Sequence, residues 1–164
     1  MQQPATSLIP LLAKRKIVYP IIAPEPRFAL DDKGFLINDK LFVLPTDSLF
    51  LLGVLNSSLA DFFFSSICAR LEGSGETYYE FRAQYVERFP IRPINFSDPA
   101  DKARHDKMVS LVERMLALHK RSPRTPQEQE MVKREIESTD RAIDTLVYEL
   151  YRLTEDEVKM VEGG

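Results

Sequence analysis

The chain has 164 residues, 44% hydrophobic and 29% charged, with a formal net charge of −3. That composition suits one domain with a real core, or a domain plus an appendage, and excludes a disordered chain. The negative sum argues against a protein that coats nucleic acid through bulk charge, while a local basic face stays open.

Cys68 is the lone cysteine, so an internal disulfide framework is excluded and a cysteine-based zinc site is short of ligands. A reducing, intracellular setting follows. No basic, apolar, small-residue signal opens the chain. The first stretch, "MQQPATSLIPLLAKRK", carries no clear element and reads as the start of a piece cut from a longer protein.

"KIVYPII" (16–22) is rich in β-formers, and Pro20 implies an edge or a bend. "RFALDDKGFLIN" (27–38) predicts a hairpin, with turn chemistry at Asp31-Asp32-Lys33-Gly34 between two apolar runs. "KLFVLP" (40–45) is a further short strand closed by proline. "LFLLGVLNSSLADFFFSSIC" (49–68) predicts two buried helices broken at Asn56-Ser57-Ser58, with Ser58 to Asp61 as a capping box for the second. Asn56, Asp61 and four serines disqualify the run as a membrane span. "EGSGETYYEFRAQYVERFPIRPI" (72–94) reads as a flexible Gly-Ser-Gly loop, then aromatic strand-like sequence with a proline-punctuated exit.

The composition shifts near residue 97. Lys+Arg and Asp+Glu are ten each up to residue 96; twelve basic and fifteen acidic residues follow. The second part is helical in period. Asp98 as N-cap, Pro99 and Asp101 open one helix, with Met108, Leu111, Met115 and Leu118 recurring along it. "KRSPRTP" (120–126) breaks it, and Thr125-Pro126-Gln127-Glu128 restarts it with a capping box. Val132, Ile136, Thr139, Ile143, Leu146, Leu150 and Leu153 then form a heptad-like stripe, and Thr154 starts a short last helix. The expected division is 1–96, an α/β domain, and 97–164, an antiparallel helical hairpin or spacer. The fold class is α+β, a small mixed sheet with packed buried helices followed by that hairpin.

Catalytic chemistry is not legible. His105 and His119 stand fourteen positions apart without a ligand pattern, as on a solvated helix face. "EVK" (157–159) matches the tail of a nuclease motif by chance, and "GSG" (73–75) lacks the frame of a phosphate-binding loop. No Ser-His-Asp order stands out. The chain itself is expected to be non-catalytic.

"KIVYPIIAPEPRFALDDKGFLINDKLFVLP", "LFLLGVLNSSLADFFFSS", the glycine-containing loop, "YVERFPIRPI" and "IESTDRAIDTLVYELYRLTEDE", in this order, resemble the TaqI-like C-terminal specificity domain and its helical tail, over residues 14–162. The resemblance implies a target recognition domain of fused type II restriction-modification enzymes or adenine-specific DNA methyltransferases, built like the specificity subunits of type I systems. It implies double-stranded DNA and a methyltransferase domain of the same chain as partners, no membrane, and a prokaryotic cytoplasm. S-adenosylmethionine and magnesium belong to the parent enzyme, because neither an N-P-P-Y-type motif nor a nuclease motif is present in this chain.

Base reading needs Arg or Lys for guanine, Asn or Gln for adenine, and Asp or Glu for cytosine, while backbone contacts need only donors and positive charge. The candidates are Lys14, Arg15 and Lys16 at the start, Arg27, Lys33, Asn38 and Lys40 around the hairpin, and Arg70, Glu76, Thr77, Tyr78, Tyr79, Arg82 and Gln84 beyond the apolar helices. The 70–84 region is favoured for base reading; Tyr78, Tyr79 and Phe81 serve equally well as strand residues. Lys120, Arg121 and Arg124 read as a helix C-terminus and a solvated loop, with a phosphate contact as the alternative. A competing function is an interaction module, in which the helical hairpin docks onto a methyltransferase or specificity subunit. A small hydrolase using carboxylates is a third. A reader should expose a face of arginines; a docking module should expose Ile136, Ile143, Leu146 and Leu150.

Overall fold

A computed structural model describes residues 10, 13–34, 40–73 and 75–163. In chain order the elements are β1 (Lys16–Pro20), β2 (Ile22–Ala23), β3 (Ala29–Asp31), β4 (Leu41–Leu44), α1 (Leu49–Leu55), α2 (Ser58–Ile67), β5 (Ala69–Gly73), β6 (Glu76–Glu80), α3 (Ala83–Val86), α4 (Pro99–His119), α5 (Pro126–Tyr151) and α6 (Glu155–Gly163). They divide into two compact units, residues 1–48 with 63–89 and residues 49–62 with 90–164.

The first unit is α+β, with two antiparallel three-stranded sheets in place of one mixed sheet, ordered β3-β1-β4 and β2-β6-β5. Pro20 marks the change of sheet. It ends β1 opposite Leu41, and Ile21 then donates its N–H to the Lys40 carbonyl (3.1 Å) and accepts from the Phe81 N–H (2.7 Å). Proline has no N–H to continue a ladder, so a strand that must leave its sheet can end there. At the turn after β3, Asp31 Oδ1 accepts from the N–H groups of Lys33 (3.0 Å) and Gly34 (3.1 Å), and Gly34 takes φ +68°. The predicted second arm of this hairpin, residues 35–38, lies outside the described residues. Phe64 is the centre of the core. It is fully buried, with ring centroids 5.7 Å from Phe81, 5.6 Å from Phe89 and 6.2 Å from Phe28, which in turn stands 4.9 Å from Tyr19.

The second unit is helical. Its caps are those the sequence predicts: Asp98 accepts from the Ala100 N–H (2.9 Å), and Thr125 and Glu128 form a reciprocal capping box. Thr154 and Glu157 repeat that pattern at the start of α6. Helices α4 and α5 pack together, with Met108, Val112 and Leu118 buried on one and Thr139, Ile143, Leu146 and Leu150 on the other. Arg92 and Arg104 converge on the buried Asp101, whose carboxyl they hold below its ordinary pKa together with the Asn95 N–H.

Two expectations about the apolar pair are corrected. Ser57, not Ser58, caps α2, its Oγ accepting from the Ala60 N–H (3.3 Å) while donating to the Val54 carbonyl (2.7 Å). Ser58 instead gives its N–H (2.8 Å) and its hydroxyl (2.6 Å) to Asp144 of α5. Nor does the pair pack as one with the small sheet of the expected fold. They bend by 59° at the break, α1 lies on α4, and α2 supplies Phe64 to the first unit's aromatic core. Among the described residues no single helix is long and apolar enough to cross a membrane.

Gly53 is where α1 meets α4. A Cβ there would stand 2.6 Å from Met108 Sδ and 2.8 Å from Val112 Cγ2. The methionine can move aside; the branched valine, held in a helix, has little room. Gly53→Ala is therefore expected to lower unfolding free energy by about 1–3 kcal/mol through overpacking, read as the denaturation midpoint. An unchanged or raised midpoint would show that the contact yields freely.

Candidate nucleic-acid interface

Strands β5 and β6 form a hairpin that the sequence reading missed. The register runs Ala69↔Glu80, Arg70↔Tyr79, Leu71↔Tyr78, Glu72↔Thr77 and Gly73↔Glu76. The third strand, β2, reaches only Glu80 and Tyr79, so the hairpin continues beyond it as a two-stranded ribbon. Residues 70–73 are exposed, side chains of both faces included. The tip is open: Gly75 takes φ +85°, and neither it nor Gly73 has a neighbour where a Cβ would stand. Five paired residues extend roughly 16 Å, and a duplex major groove about 12 Å wide admits such a ribbon.

Opposed residues share a face. One face carries Arg70, Glu72, Thr77 and Tyr79, with the Arg70 guanidinium 6.0 Å from the Tyr79 ring centre. The other carries Leu71, Glu76, Tyr78 and Glu80, with Ile22 opposite Glu80. Tyr78 donates its hydroxyl to Glu76 Oε2 (2.6 Å), which raises the phenol's pKa, while the charge of Arg27 acts to lower it. Arg82 Nε bonds Glu80 Oε2 at 2.7 Å, which lowers the Glu80 pKa and raises that of Arg82. The structure thus brings Glu76, Tyr78 and Arg82 to one side of the ribbon, with the exposed Arg27 paired to Glu25, and sets Arg70 on the other.

The remaining candidates fall elsewhere. Lys14 and Arg15 are exposed ahead of β1, at the end of the first sheet that also holds exposed Lys33, since Ala13 packs against Gly34. Lys40 lies at the opposite end of that sheet, before β4. Lys16 leaves the set: it is 1% exposed and its ammonium is bonded to Asp31, the residue paired with it across β1 and β3. Gln84 is exposed in α3, a helical turn where strand was expected, because Phe81 and Phe89 at its two ends both turn into the core. Asn38 lies outside the described residues. Ile22, opposite Glu80, and Leu71, opposite Tyr78, are both exposed and were missed; the signal was the pair of glycines at 73 and 75 between two strands.

The ribbon offers donors from arginine, acceptors from glutamate and hydroxyl groups from tyrosine and threonine. From residue 69 to residue 82 it holds two arginines against three glutamates. Such a surface has the groups for hydrogen bonding and lacks the excess positive charge that attracts a polyanion. The apolar stripe of α5 that a docking module would expose is closed: Ile143, Leu146 and Leu150 are buried and Ile136 is half-buried. Among the described residues no group of three or more His, Cys, Asp or Glu gathers as metal ligands.

Comparison with known proteins agrees with this architecture. Residues 1–91 match the family profile of the TaqI-like C-terminal specificity domain, and the chain belongs to that family. Among solved structures, the type IIL restriction-modification enzyme MmeI in complex with DNA is similar in fold, with TM-score 0.67 at 14% identity over 99% of this chain. The match spans 21% of the MmeI chain. No curated protein matches.

Proposed function

We propose that the chain is the DNA target-recognition module of a restriction-modification enzyme, reading duplex sequence and presenting it to a methyltransferase domain that lies N-terminal in the same polypeptide. Family membership and the DNA-bound neighbour of like fold support this reading. The observation that carries it is the β5–β6 ribbon, exposed along residues 70–73 and half-buried along most of β6, of a size that a major groove admits. Catalysis, S-adenosylmethionine and magnesium would belong to the rest of the enzyme, working in a prokaryotic cytoplasm. The module's part is to hold the duplex in register while an adenine is flipped out for methylation.

The test exchanges Ala69–Glu80 for the matching segment of a relative in the full-length enzyme, expressed in a methylation-free host, and maps modified adenines in the host DNA. The expected result is a methylated motif that changes with the ribbon. A motif that persists unchanged in an active enzyme would remove the ribbon from target choice and revive the hairpin as a docking module.

A further inference from the structure

The tip of the α4–α5 hairpin holds a cavity of about 380 Å³ lined by Arg121, Ser122, Pro123, Arg124, Glu128, Met131 and Val132. We infer that this cavity seats one sugar-phosphate step of a duplex backbone outside the sequence being read, a contact that rests on the DNA-recognition reading above.

Charge points that way. The helical part is acidic overall, yet Lys120, Arg121 and Arg124 follow one another at its tip with no acid among residues 119–127. The one acid in the lining, Glu128, is already hydrogen-bonded. Glu128 turns its carboxylate back onto the N–H groups of Arg124 (2.8 Å) and Thr125 (3.1 Å), which lowers its pKa and directs its charge into the helix start. Arg121 shares Glu135 with Arg114 through long, exposed contacts of 3.4 and 3.7 Å, the kind worth little in water and readily exchanged for a phosphate. Part of the lining is apolar: Pro123, half-buried Val132 and Met131, which is 56% exposed. A deoxyribose presents an apolar face beside its anionic phosphate, so one backbone step matches the apolar and the basic lining together. A bare anion would leave Met131 and Val132 uncovered. The turn is stiffened by Pro123 and Pro126 and by the capping box, so its guanidinium groups are presented with little ordering left to do.

The test uses the 164-residue chain and a duplex selected from a random pool, comparing wild type with Arg124→Ala, Arg124→Lys and Arg121→Ala/Arg124→Ala. Each lost phosphate contact should flatten the plot of log affinity against log salt by about 0.9. Arg124→Ala is expected to flatten it by about one contact, Arg124→Lys by less, and the double variant most, with the base preference unchanged. Trimming the duplex to the selected bases alone should make wild type behave like the double variant. Unchanged slopes overturn the inference while leaving the reading intact, provided wild type selects a sequence. Altered base preference also overturns it, because the tip would then be reading bases. A pool that yields no duplex overturns both.

Discussion

Asp31→Ala is expected to lower unfolding free energy by about 3–5 kcal/mol, because it leaves the Lys16 ammonium buried without its counter-charge. The same carboxylate also accepts from the N–H groups of Lys33 and Gly34, so the turn loosens with it. Desolvating two ions is costly, and the pair itself adds little net stability compared with well-packed apolar residues. The damage arises when one partner is removed. A double replacement, Lys16→Met with Asp31→Leu, should therefore recover much of the loss, which a double-mutant cycle measures directly. Denaturant midpoints provide the readout. Additive single-site costs in the double variant would show that the two charges are not coupled.

The second large effect is expected at Phe64. Truncation to alanine removes the ring shared by Phe28, Phe81 and Phe89 and leaves a cavity in the first unit. The expected cost is about 3–5 kcal/mol, enough to threaten folding of a unit whose aromatic core is centred on this ring. Phe64→Leu should cost much less. Equal losses for the two variants, by calorimetry, would mean that ring volume is not what matters there.

Local signals were legible. Asp98, Thr125 and Thr154 cap helices because a side-chain oxygen beside a few backbone amides needs nothing distant to act. The stripe Thr139, Ile143, Leu146 and Leu150 was legible by spacing, although spacing left open whether it would be covered by α4 or exposed for docking. What depended on a remote partner was hidden. Lys16 sits in a run of three basic residues, and only Asp31, fifteen positions on, turns it inward. "ARLEG" alternates apolar and polar residues for only four positions, too few to announce a strand on their own; its pairing along β6 is what makes it one. The apolar helix pair read correctly as core, but which core each half joins depends on α4 and on the phenylalanines of the first unit, neither of which its own residues reveal. The candidate site was legible as a region, 70–84, and not as two faces, because face assignment needs the register.

The division of α2 bears on how modules of this kind can be exchanged. The first unit is not a continuous stretch: residues 49–62 interrupt it and belong to the helical unit. A graft cut at a single junction near residue 90 carries Gly53 away from Met108 and Val112 and leaves Asp144 without the Ser58 it binds. Chimaeras between relatives should therefore survive only where those five positions match across the join, or where the crossover is confined to the ribbon. Recombination would be filtered by helix packing before specificity is ever tested.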